Sequence, residues 1–210
     1  MILKTRWNAL WKELGVDARS RDIIFEDLTG RYAEPWRAYH ALSHIESMLI
    51  DFDAFRTSPE ARFVDIPVVE MVIWYHDAVY HPPAHDSESQ SAKLFCLVGR
   101  LIFLREQFMV RVVEGILATR HHAPSDNPTT QTICDLDLAI LGKPEKEFDL
   151  YEKQIRTEYD AVLELIFRRE RARILEGFAE RHIYSTNFFN ERYEDQAHKN
   201  LDRSIARLSS

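Results

Sequence analysis

Pro67-Val68-Val69-Glu70-Met71-Val72-Ile73-Trp74-Tyr75-His76-Asp77 is the stretch on which the fold of this chain turns. Its apolar run is broken only by Glu70, so a helix here would be buried on nearly every face. Pro67 suits a first helical turn, where its missing N–H leaves no bond unmade. A short apolar run can also be a buried strand, but no turn-separated alternating segments accompany it. The run ends on His76-Asp77. An ionised aspartate beside a buried segment is costly unless it is paired or bound to a cation. The helix macrodipole also disfavours a negative charge at a C-terminus. A bound cation removes both conflicts, so the doublet points to metal ligation.

Outward from this stretch the chain reads as helices. Leu3, Trp7, Leu10, Trp11 and Leu14 form one apolar stripe, stopped by Gly15. Ile23, Ile24 and Leu28 form a second, ending near Gly30. Leu42, Ile45, Met48, Leu49, Phe52 and Phe55 form a third, ending before Pro59. After the doublet, His81-Pro82-Pro83-Ala84-His85 cannot continue a helix and reads as a loop. Asp86 or Ser87 caps the next helix, which runs through Ser91, Leu94, Phe95 and Leu97. Phe108, Val112, Ile116 and Leu117 lead into Thr119-Arg120-His121-His122, and a second loop, Ala123 to Pro128, follows. Ile133 to Leu141 reads as a short apolar helix ended by Gly142. Amphipathic helices are expected over about 147–166, 167–183 and 190–208. No repeat, low-complexity tract or linker divides the chain. The expectation is one all-α domain over 1–210, a helical bundle with its site core at about 36–142 and C-terminal helices 147–208 packing on it.

The chain has 210 residues, 45% hydrophobic and 29% charged, the balance of an ordinary globular protein. A formal net charge of −7 argues against a surface that coats a nucleic-acid polymer, though not against a small basic pocket. Cys96 and Cys134 match no zinc spacing and imply no disulfide framework, so both read as core thiols. Met1-Ile2-Leu3-Lys4-Thr5-Arg6-Trp7 breaks into charge before a signal-peptide core forms. No apolar run approaches the ~18 residues of a membrane span. Asn127 is followed by proline, which spoils the one candidate glycosylation site. The cytoplasm is the simplest location.

Other residues can join the doublet at a site. His40 and His44 are four apart and share one helix face. A zinc protease would carry Glu directly after the first histidine, and here that position is Ala41. On spacing alone a surface or capping pair fits as well. Asp135 and Asp137 diverge by ~200° on a helix, so both can bind one metal only if a helix begins between them; otherwise one is a ligand and the other an N-cap. His121-His122 beside Arg120 fits either a cation cluster at a helix C-terminus or a site for substrate phosphate or a second metal. Trp36, Trp74 and Tyr80 suit a base-stacking pocket or, equally, the core.

Taken in order, these elements resemble the HD superfamily of metal-dependent phosphohydrolases. Arg37-Ala38-Tyr39-His40-Ala41-Leu42-Ser43-His44-Ile45 is similar to the "YHxxxHI" opening of one bacterial group of HD-domain proteins. Trp74-Tyr75-His76-Asp77-Ala78-Val79-Tyr80 is similar to its central "HDAVY". Asp86-Ser87-Glu88-Ser89-Gln90-Ser91-Ala92 resembles its acidic segment, and Asp135-Leu136-Asp137-Leu138-Ala139-Ile140-Leu141-Gly142 its "DADLAILG". Ile155-Arg156-Thr157-Glu158-Tyr159 and Ile183-Tyr184-Ser185-Thr186 fit its tail, so the likeness covers nearly the whole chain.

The resemblance implies an HD-type helical fold and a divalent metal held by His44, His76, Asp77 and Asp137. His40, one turn from His44, becomes an outer contact or a substrate contact, and the two are exchangeable. Asp135 stands next to Asp137 as the alternative carboxylate, because Leu136 departs from the group's small residue. His121 and His122 lie where binuclear relatives place further histidines. Oxygen-rich ligation suits Mn²⁺, Mg²⁺, Fe²⁺, Co²⁺ or Ni²⁺ better than zinc. Asp77 and Glu88 are the catalytic candidates, with Glu88 as general base or as a solvated first-turn residue. Arg120 and Lys93 balance phosphate charge or are surface cations. The implied reaction is hydrolysis of a phosphate mono- or diester of a small molecule or nucleotide. A non-catalytic metal or nucleotide sensor, a purely structural or interaction protein and a di-iron oxygenase compete with it. No membrane partner is expected, and self-association into a homodimer stays open.

Overall fold

The computed structural model describes residues 2–83 and 86–209. Ala84 and His85, in the loop expected after the doublet, lie outside the described residues, as do Met1 and Ser210. Among the described residues there are ten α-helices and no strand. They are α1 (Ile2–Glu13), α2 (Ala18–Tyr32), α3 (Leu42–Phe55), α4 (Ile66–Tyr75), α5 (Ser87–Leu101), α6 (Glu106–Ala118), α7 (Pro128–Leu138), α8 (Glu145–Glu158), α9 (Glu164–Ala179) and α10 (Asn187–Ser209). Two 3-10 helices, Pro59–Phe63 and Ala139–Gly142, join their neighbours.

The all-α expectation holds, and α4 is its axis. Every residue from Val68 to Tyr75 is buried, as the unbroken apolar run requires. Helices α3, α5, α6 and α7 pack around it. Asp65 caps its start by accepting the Val68 amide, with Pro67 in the first turn. Glu70, the one charge inside it, meets Arg6 of α1 through two bonds, 2.8 Å and 3.2 Å. That paired geometry offsets the cost of desolvating a carboxylate. Trp7 of α1 meets Trp74 edge-on, with ring centroids 5.2 Å apart. Gly15, at φ +80°, turns the chain from α1 into α2 where a Cβ would be strained. One contiguous apolar core runs from Trp7 to Leu201.

Several helix ends differ from the sequence pattern. Helix α2 runs through Gly30 to Tyr32. Helix α7 begins at Pro128 rather than Ile133, because Asn127 Oδ1 accepts the amides of Thr129 and Thr130. Its first turn is polar, and so escaped a reading based on apolar periodicity. The break between α8 and α9 falls at 159–163 instead of near 166. Arg156 closes that break by donating to the carbonyls of Tyr159 and Val162. Helix α9 stops at Ala179, short of 183.

The C-terminal helices hold the end of α7 in place. Buried Asn200 of α10 donates to the carbonyls of Leu141 and Lys143, both at 2.8 Å. The Tyr184 hydroxyl donates to the Leu138 carbonyl at 3.0 Å. Gly142 lies so close to α10 that a Cβ there would sit 2.3 Å from Tyr193 Cβ and 2.8 Å from its Cα. Backbone cannot yield as a flexible side chain does. No described helix is long and apolar enough to cross a membrane.

Gly142→Ala should therefore lower stability by about 1–3 kcal/mol, seen as a lower urea midpoint. An unchanged midpoint would contradict this close approach.

Candidate metal centre

Three helices deliver side chains to one point. His44 comes from the first turn of α3, His76 and Asp77 follow the last turn of α4, and Asp137 lies near the end of α7. His76 Nδ1 donates to the Ile73 carbonyl at 3.1 Å, which turns Nε2 toward the cluster. Around His76 Nε2 lie Asp77 Oδ2 at 3.0 Å, His44 Nε2 at 3.3 Å and Asp137 Oδ1 at 3.5 Å. His44 Nε2 is 3.1 Å from Asp137 Oδ1 and 4.0 Å from Asp77 Oδ2. His44, His76 and Asp77 form a buried group able to hold a metal ion. Asp137 extends it at the mouth, with 17% of its side chain exposed. His122 Nε2 meets the other Asp137 oxygen at 2.8 Å.

The spacing fits an ion. Ligand atoms ~2.1 Å from an octahedral cation lie about 3.0 Å apart when adjacent and about 4.2 Å when opposite. The observed separations, 3.0 to 4.0 Å, fall close to that range. Charge fits as well. Burial alone would lower the His76 pKa, yet Asp77 and then Asp137 raise it well above the ordinary imidazole value. Burial would raise the Asp77 and Asp137 pKa values, but His76 leads the groups that hold both below the usual carboxylate range. For His44 burial dominates over Asp137, and its pKa is lowered. Two buried carboxylates thus draw on the charge of His76. A dication in place of the His76 proton would balance both.

A second tier of buried side chains fixes these backbones. The Arg37 guanidinium donates to the carbonyls of His40 (2.9 Å), Asp77 (2.8 Å) and Ala78 (3.3 Å). It ties the segment before α3 to the turn after α4. Glu158, the last residue of α8, accepts the amides of Ala38, Tyr39 and His40 on one oxygen, at 2.7 to 2.9 Å. Its other oxygen accepts from His40 Nδ1 at 2.6 Å and from the Tyr80 hydroxyl at 3.0 Å. Burial would raise the Glu158 pKa, but the His40 bond and these amides hold it below its ordinary value of 4.5.

The sequence candidates therefore separate. His44, His76, Asp77 and Asp137 converge, with His122 behind Asp137. His40 stays outside the cluster, stacked on Tyr80 with ring centroids 4.1 Å apart. His121 and Arg120 are exposed in the turn beyond α6 and do not reach it. Asp135 points the other way, as two residues on a helix must. It accepts the amides of Ser185 and Thr186 and the Thr186 hydroxyl. It is no N-cap of α7, since that helix starts seven residues earlier. Burial lifts its pKa to about 6. Glu88 is half-buried in the first turn of α5, with no bond to a cluster residue, and Lys93 is exposed. Trp74 belongs to the core. Arg37 and Glu158 hold the site without joining the cluster, and nothing in the local sequence spacing marks Arg37. Glu158 closes a helix with a negative charge, the same oddity that marked Asp77, and that signal was available.

A cavity of about 130 Å³ opens beside the cluster, lined by Tyr39, His40, His122, Asp137, Tyr151 and Arg171 among others. A larger groove of about 770 Å³ runs along α9 and the end of α10 and holds none of the cluster residues.

Glu158 stabilises the fold above the ordinary carboxyl range, and that contribution is lost as pH falls through its lowered native value. Glu158→Gln should thus be less stable than the wild type at neutral pH by about 1–3 kcal/mol. The gap should close as the pH is lowered past 4.5, followed by denaturant midpoints. A gap independent of pH would contradict this.

Compared with known proteins, the chain matches no family model, no curated sequence and no solved structure, so its own residues carry the functional argument.

Proposed function

We propose that the chain is an HD-type metal-dependent phosphohydrolase that cleaves a phosphate mono- or diester of a small molecule or nucleotide with water, giving an alcohol and either phosphate or a phosphate monoester. The observation that carries the reading is the buried His44–His76–Asp77 group with Asp137 at its mouth. A divalent ion held there would lower the pKa of a water and polarise a phosphoryl oxygen.

The protein's own residues have distinct tasks. The Ile73 carbonyl fixes the His76 ring so that Nε2 faces the cluster. His122 holds the outer oxygen of Asp137 and leaves the inner one for the metal. Arg37 keeps the Asp77 turn from moving away from α3. Glu158 takes His40 Nδ1, so Nε2 is the nitrogen that His40 has left for a substrate oxygen. His40 lines the cavity beside Asp137, within the space an ester would occupy.

Asp77→Ala should abolish metal-dependent hydrolysis of aryl phosphate mono- and diesters, while helix content by circular dichroism persists. Hydrolysis surviving in that variant would sink the assignment. His122→Ala should keep the metal site but weaken metal affinity or activity by roughly 10- to 100-fold, the usual effect of losing a partner that orients a ligand. Complete loss of metal would make His122 a ligand instead.

A further inference from the structure

The cavity beside the cluster has a charged far wall. Arg171 of α9 lines it, and lines none of the four larger surface hollows. The residue is nine-tenths buried, with 9% exposure. Glu152 Oε1 accepts from both Nε and Nη2, and the Tyr151 hydroxyl meets Nη2 at 2.8 Å. No described residue bonds Nη1. That nitrogen is also not among the buried polar atoms sealed from solvent without a partner. It is thus a cationic donor left over and open to solvent, on a buried residue that lines the cavity. Glu152 and Tyr151 fix the rest of the guanidinium, so the donor is held before any ligand arrives.

A continuous aromatic wall links this cation to the cluster. Tyr39 packs on His44 with ring centroids 4.6 Å apart, and on Tyr151 at 4.5 Å. The Arg171 guanidinium carbon lies 5.2 Å from the Tyr151 ring centroid. The cavity lining thus brings together Asp137 and His122 of the cluster and Arg171, with the Tyr39–Tyr151 pair between His44 and the guanidinium. Its volume is near that of a ~150 Å³ cavity known to take one benzene-sized ligand. Such a space accepts an anionic group on a linker of one or two atoms.

We propose that Arg171 binds a second anion of the substrate, through charge-assisted bonds from Nη1. The substrate class is then a compact phosphate ester bearing a carboxylate or second phosphate a few bonds from the scissile group. This rests on the phosphohydrolase reading for the metal end alone. It narrows that reading away from nucleotides whose only further anchor is the base.

The test is calorimetric binding to the full chain in Mg²⁺, using three phosphonates that cannot be hydrolysed. Propylphosphonate carries one anionic group, phosphonopropionate adds a carboxylate, and ethylene diphosphonate adds a second phosphonate. At least one of the latter two should bind roughly tenfold tighter or more than propylphosphonate, and the tighter one identifies the second group. Arg171→Gln should erase that preference and leave propylphosphonate binding unchanged. Equal affinity for all three probes, or a preference that survives Arg171→Gln, would overturn the proposal. So would an equal loss for every probe, since Arg171 would then be only a structural post. If Arg171→Gln does not fold, Arg171→Lys serves. Its compact ammonium lacks the planar fork that lets one arm stay on Glu152 and Tyr151 while Nη1 reaches the anion, so the preference should fall several-fold, and an unchanged preference overturns the idea. The binding test needs no turnover. An Arg171-dependent preference in a protein that hydrolyses nothing would keep the two-anion site and discard the hydrolase.

Discussion

Two carboxylates facing mainly imidazole nitrogens, largely out of water, are the constraint around which the molecule is arranged. Burying Asp77 and Asp137 costs several kcal/mol each unless a positive charge comes with them. The cluster supplies one, on His76, and the two carboxylates compete for it. Helix α4 makes the arrangement rigid. Buried along its length, it has little freedom to rotate, and it ends where His76 and Asp77 must stand. Helices α3 and α7 complete the ring from either side.

Two other buried carboxylates show how this protein satisfies a carboxylate that needs no metal. Asp135 and Glu158 each accept backbone amides from a neighbouring segment, and each adds a side-chain donor. They are closed structural ties, one fastening the turn before α10 and the other the turn before α3. The bonds recorded for Asp77 and Asp137 come from imidazoles alone, which are also metal ligands. The contrast lies in donor type, amide against ring nitrogen, and it separates structural acids from the candidate site more sharply than burial does. It also gives the C-terminal helices a role. Helices α8 and α10 carry no cluster residue, but through Glu158, Asn200 and the segment at Ser185–Thr186 they hold the segments that do.

Much of this was legible in the chain. The apolar run before His76-Asp77 announced both the central helix and the conflict at its end. The opposition of Asp135 and Asp137 followed from helix geometry, although sequence alone left open which one turns inward. Three things were hidden for physical reasons. The start of α7 is a polar turn set by Asn127, invisible to a reading of apolar periodicity. The choice of His44 over His40 depends on Glu158, more than a hundred residues away in sequence. The cavity wall depends on Arg171, a cation in an otherwise ordinary amphipathic helix, whose meaning appears only when α9 packs against Tyr151. Pairwise contacts between distant segments leave no local pattern to read.

The account stands or falls on the metal. Elemental analysis of protein purified without chelator or metal-affinity resin, followed by titration with Mn²⁺ at neutral pH, addresses it directly. The account predicts about one divalent ion per chain, either retained or taken up on titration. A chain that holds no metal and takes up none would contradict it, and would leave the cluster as a buried ion pair without chemistry.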